Sequence, residues 1–121
     1  MKLQIEGQKL RVRIDEDELA TLLAGGMLES RTQFATAFAL RCALRLAPGT
    51  DVALTGTADA WRVDLPDAAV RGHAARLPTR EGLRFALPGK GDGDMLELLF
   101  DVDVRDSVRR RRQSPIAGAP G

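Results

Sequence analysis

One pattern of apolar and turn residues occurs twice in this chain, fifty-one residues apart. Residues 3–35 align on residues 54–86 without a gap. Leu3 then falls on Leu54, Arg11 on Arg62, Val12 on Val63, Ala24 on Ala75, Phe34 on Phe85 and Ala35 on Ala86. Six identities in thirty-three positions are few, but the apolar positions agree more widely. Self-similarity at a fixed spacing limits the fold to one built from two like units.

Each unit reads as a hairpin, a short helix and two more strands. Leu3 and Ile5 alternate with polar residues, and so do Leu10, Val12 and Ile14, as in half-buried strands. Gly7 and Gln8 between them suit a tight turn. Asp15 followed by Glu18 is a capping-box start, and Leu19, Leu22 and Leu23 give a helical stripe. Gly25 and Gly26 end that helix. Strands are predicted over 28–34 and 37–46, the second presenting Phe38, Leu40, Cys42 and Leu44 on one face.

The second unit repeats the plan. Trp61, Val63 and Leu65 line the return strand of a hairpin that turns at 57–59. Pro66 and Asp67 open a helix with Val70, His73, Ala74 and Leu77 on its apolar side, and Pro78 stops it. Strands follow over 83–87 and 95–104. The run from Met95 to Phe100 is apolar enough to suggest burial on both faces.

These elements predict an α+β protein: a small closed or nearly closed β-barrel made of two ββαββ halves, 1–47 and 51–104. The halves would be related by a pseudo-twofold axis, with two short helices beside the barrel. Closure is expected because it removes exposed sheet edges. Residues 105–121 are expected to be a disordered basic tail, since they hold nothing to pack.

Charge narrows the partners. Five arginines against Asp106 give 105–121 a charge of +4, which leaves 13 basic and 16 acidic residues, a net of −3, in 1–104. An acidic body is poorly equipped for nucleic acid, whose binding rests on phosphate neutralisation. Any such tendency belongs to Arg109, Arg110, Arg111 and Arg112, a run that equally suits a solvated tail. No apolar run is long enough to span a bilayer, and no signal-peptide pattern opens the chain. With Cys42 the one cysteine, no internal disulfide forms, and a reducing cytoplasm is the expected setting.

No motif assembles a catalytic site, and no cofactor or metal is implied. His73 is the one histidine, and its place reads as a packing or surface residue. The GKGDGD stretch at 89–94 lacks an EF-hand ladder and matches no phosphate-binding fingerprint. Asp101 and Asp103 share a strand face and read as its solvated side. Arg11 and Arg62 occupy the same place in both units. Symmetry would make them a paired site for an anion. The plainer reading pairs each with a cross-strand acid such as Glu6.

The segment from Leu10 to Phe34 resembles a family of short bacterial proteins of unknown function. The resemblance rests on the strand Leu10 to Ile14, the acid-rich helix from Asp15 to Gly26, and Glu29, Thr32 and Phe34 on the next strand. It extends to Val63–Pro66 and the last strand. It brings no catalytic residues. The alternation of hairpin, helix and strands is also similar to swapped-hairpin transcription factors of the antitoxin type, which implies a DNA-binding regulator assisted by the arginine tail. The leading expectation is a non-enzymatic binding or interaction module for a protein partner or a small anion.

Overall fold

The computed structural model describes residues 1–104. The expected basic tail, 105–121, with Arg109 to Arg112, lies outside the described residues. Ten elements follow one another: β1 (Lys2–Glu6), β2 (Lys9–Asp15), α1 (Glu16–Leu23), β3 (Leu28–Phe34), β4 (Phe38–Ala47), β5 (Ala53–Thr57), β6 (Ala60–Pro66), α2 (Asp67–Ala75), β7 (Leu83–Leu87) and β8 (Leu96–Asp103). The expected order ββαββ–ββαββ is present.

The strands form two four-stranded sheets, β1-β2-β8-β7 and β3-β4-β6-β5. Neither sheet closes, so the barrel expected from the sequence is replaced by two open sheets with free edges at β1, β7, β3 and β5. The edges that closure would have removed are kept, and they bear on the site below. Each sheet joins a hairpin from one half to a hairpin from the other. The joints are parallel, β2 on β8 and β4 on β6, while all other pairs are antiparallel.

Element bounds recur at the fifty-one-residue spacing through both hairpins and both helix starts: Lys2 and Ala53, Lys9 and Ala60, Glu16 and Asp67. Beyond α2 the spacing widens. Leu28 pairs with Leu44 and Leu83 pairs with Phe100, so by place in the sheet β7 answers to β3 at a spacing of fifty-five. The ungapped matches of Phe34 with Phe85 and Ala35 with Ala86 are therefore not structural counterparts. Phe85 faces Leu98 as Ser30 faces Cys42.

Period-2 alternation places the core. Leu10, Val12 and Ile14 of β2, Leu98, Phe100 and Val102 of β8, Cys42 and Leu44 of β4, and Val63 and Leu65 of β6 are buried in one cluster. β8 does not bury both faces: Leu99, between Leu98 and Phe100, is half-buried, because no further layer covers the outer side. Each helix packs on strands of both sheets, α1 on β2, β8, β3 and β4, and α2 on β4, β6 and β7. Leu19 and Leu22 are the buried residues of α1, and Val70 and His73 those of α2.

Local chemistry explains the boundaries. Asp15 accepts a hydrogen bond from the Glu18 amide at 2.8 Å, and Glu18 accepts one from the Asp15 amide at 3.1 Å. This closes the capping box read from the sequence. α2 starts behind Pro66 and has no side-chain cap. Within β5, before the turn into β6, Gly56 takes a φ of +104°, and an added Cβ would meet the Ala60 carbonyl oxygen at 2.1 Å.

Candidate functional site

The face of the β3-β4-β6-β5 sheet turned away from the core carries an unusual concentration of arginine. Burial of Cys42 and Leu44 fixes the alternation of β4, so Arg41, Ala43 and Arg45 point outward. Register places Arg31 of β3 directly opposite Arg41. On the other side, Arg62 of β6 is opposite Ala43, and Asp64 is opposite Arg45. Like charges directly opposed across an antiparallel ladder destabilise it. The Arg31–Arg41 pair is such a cost.

Arg31, Arg41 and Arg62 line a cleft of about 580 Å³, together with Glu29, Gly56 and Trp61. Their charges are incompletely balanced. The Arg31 guanidinium donates to Gln33 Oε1 at 2.9 Å, a neutral acceptor. The Arg41 side chain forms no ion pair among the described residues. Arg62 Nε lies 3.4 Å from Asp64 Oδ1, but Asp64 is already held by Arg45, which donates at 2.8 Å through Nε and 3.3 Å through Nη2. One carboxylate thus serves two guanidinium groups.

Arg11 has a different role. It lies in the other sheet, opposite Gln4 on one side and Leu99 on the other. Its Nε and Nη2 donate to Asp101 Oδ2 at 3.1 and 2.5 Å. Arg13 Nε stands 3.8 Å from the second oxygen of Asp101. The carboxylate is tied into the β2–β8 joint rather than solvated. Arg11 therefore pairs with Asp101 across the β2–β8 joint, and Arg62 with Asp64 two residues along its own strand; neither pairs with Glu6. Arg11 and Arg62 occupy separate sheets and line separate clefts.

The guanidinium groups give the cleft charged hydrogen-bond donors. Among the described residues no group of three or more histidine, cysteine, aspartate and glutamate side chains is placed to hold a metal. Cys42 adjoins the cleft but is buried, and burial pushes its thiol pKa up, away from thiolate reactivity. His73 is in the core.

Periodicity along a single strand does not single out Arg31 or Arg41. The signal that identifies them is the hairpin itself. Folding β3 and β4 about Thr36 brings Phe34 to Phe38 and Arg31 to Arg41.

Comparison with known proteins places the chain. A family of unknown function, DUF7009, matches residues 1–107. The chain belongs to this family. The DUF7009 match covers every described element, so the arginine-lined cleft lies inside the family's domain. No curated protein and no solved structure matches, and the similarity to swapped-hairpin transcription factors is not supported by either search. No helix among the described residues is long and apolar enough to cross a membrane.

Proposed function

We propose that this DUF7009 chain is a non-enzymatic binding module, and that it takes an anionic group in the cleft lined by Arg31, Arg41 and Arg62. The observation that carries this reading is the opposed Arg31–Arg41 pair. It costs stability in the free protein, and neither arginine forms an ion pair among the described residues, with Glu29 the one carboxylate lining the same cleft. A bound anion repays that cost, and guanidinium groups hold carboxylates and phosphates in forked hydrogen bonds. Arg62 belongs to this site. Arg11, engaged with Asp101, is a structural residue of the β2–β8 joint. In this reading the two halves are pseudo-twofold copies that diverged, so that the β1-β2-β8-β7 sheet keeps a balanced outer face and the β3-β4-β6-β5 sheet a basic one.

Trp61 lines the cleft and is the chain's one tryptophan, so its fluorescence reports on occupancy. Titration with tripolyphosphate at low salt is expected to give a saturable fluorescence change that weakens as salt is added. Arg41→Ala should remove it without lowering the melting temperature, since the substitution relieves a like-charge contact. Absence of any saturable change in the wild-type protein would refute the reading.

A further inference from the structure

Beside the cleft runs a strand with nothing paired to its outer edge. β3 is the last strand of its sheet, and from Arg31 to Phe34 every residue is exposed. Natural sheets usually blunt such an edge with proline, lysine, a bulge or a covering element. β3, Leu-Glu-Ser-Arg-Thr-Gln-Phe, contains neither proline nor lysine, and Glu29 and Arg31 are its exposed charges. It pairs with β4 over seven consecutive residues without interruption. At its end, Phe34 and Phe38 stack with ring centroids 5.0 Å apart and remain 45% and 58% exposed.

We infer that β3 accepts an extended acidic peptide as a fifth strand, its carboxylates meeting Arg31 and Arg41 and an apolar side chain covering Phe34 and Phe38. The inference rests on the anion reading above and goes further, to the class of partner. Three observations coincide on the β3–β4 hairpin: an unpaired backbone edge, an opposed pair of arginines without an ion pair among the described residues and an exposed aromatic pair. Alternation fixes the pattern of the partner. Arg31 and Phe34 are three residues apart, so they belong to opposite faces of the sheet. A strand laid along β3 therefore carries its acid at the Arg31 position on one face. Its apolar residue falls three positions away, on the other face. Main-chain hydrogen bonds supply affinity in strand addition, and alternate side chains supply specificity. The sequence Glu-x-x-Val, or its reverse, meets both requirements, and so does any stretch alternating acidic and β-branched residues.

The test uses the full chain and a ten-residue peptide of alternating glutamate and valine, followed by Trp61 fluorescence and by amide exchange in solution NMR. Saturable binding is expected, with slowed exchange confined to amides of β3. Arg31→Ser and Phe38→Ser should each weaken binding by about tenfold or more, with the fold retained. The same peptide carrying N-methyl groups on alternate residues, which removes hydrogen bonds along one edge, should also lose about tenfold. A lysine–valine peptide should not bind.

The alternatives separate cleanly. Undiminished binding of the N-methylated peptide overturns strand addition. Binding of tripolyphosphate without binding of the peptide overturns the peptide partner and leaves the anion cleft standing. Failure of both overturns the two together. Displacement of the peptide by a twenty-base-pair duplex, with tighter binding of the duplex, assigns the surface to nucleic acid and overturns the inference.

Discussion

His73 occupies the place in α2 that Leu22 holds in α1, fifty-one residues earlier, and both are buried. A core position has thus been given a titratable ring, which meets the Phe100 ring edge-on at 6.5 Å between centroids. Desolvation lowers the histidine pKa, Arg76 pushes the same way, and Asp101 partly opposes them. The unfolded chain takes up this proton at about pH 6.5, whereas the folded protein resists it. The unfolded state therefore binds more protons just below that pH, and stability falls as pH drops from about 6.5 toward the folded-state value. His73→Leu is expected to flatten urea-melt stability between about pH 7 and 5. An unchanged slope in the variant would assign the acid sensitivity to carboxylates instead. A second residue-scale strain is Ala35, whose φ of +52° in the β3–β4 turn is a left-handed conformation. Left-handed backbone costs an L-residue about 1–2 kcal/mol, so Ala35→Gly should raise the unfolding free energy by up to about 1 kcal/mol, less the entropy glycine adds to the unfolded chain.

Among the elements, the hairpins and helices were legible because their signals are local. Alternation of Leu10, Val12 and Ile14 and the Asp15–Glu18 cap need only neighbours in sequence, and the structure contains both. Asp15→Ala is expected to cost about 1 kcal/mol by freeing the Glu18 amide, readable as a lower melting temperature. Gly56 was not legible. The turn expected at 57–59 spans 58–59, because Thr57 still pairs with Ala60, and the positive φ lies at Gly56, inside β5. Gly56→Ala drives a methyl group into the Ala60 carbonyl and should destabilise the protein by more than an ordinary strand glycine substitution would. Retention of the wild-type melting temperature would mean that the β5–β6 turn shifts freely. The arginine cleft was half legible. Arg62 stood out through its counterpart Arg11, whereas Arg31 and Arg41 gained meaning only through register. Period-2 reading gives a strand its faces but not its partner.

For the whole molecule, the number and order of elements followed from the doubled pattern, while the pairing between them did not. The parallel joints β2–β8 and β4–β6 connect one half to the other, and no short-range signal specifies them. The widened spacing after α2 also defeated an ungapped comparison, so Phe85 was matched to the wrong partner. Because each sheet takes a hairpin from each half, neither half contains a complete sheet. Residues 1–50 and 51–121 expressed separately are expected to lack cooperative melting. Mixed, they should recover a one-to-one complex with near-native circular dichroism. Cooperative folding of either piece alone would contradict the exchanged arrangement.

That exchange also sets an order in time. The β3-β4-β6-β5 sheet draws only on residues 28–66, so its strands have all been synthesised before α2 is complete. The other sheet must wait for β8, whose Glu97 to Asp103 pair with Lys9 to Asp15 at the opposite end of the chain. During synthesis the first hairpin therefore stands ready with Leu10, Val12 and Ile14 uncovered until the last strand emerges. Such long-range closure is slow and leaves apolar edges available to wrong partners. A nascent chain stalled before Leu96 should accordingly be the form most in need of a chaperone.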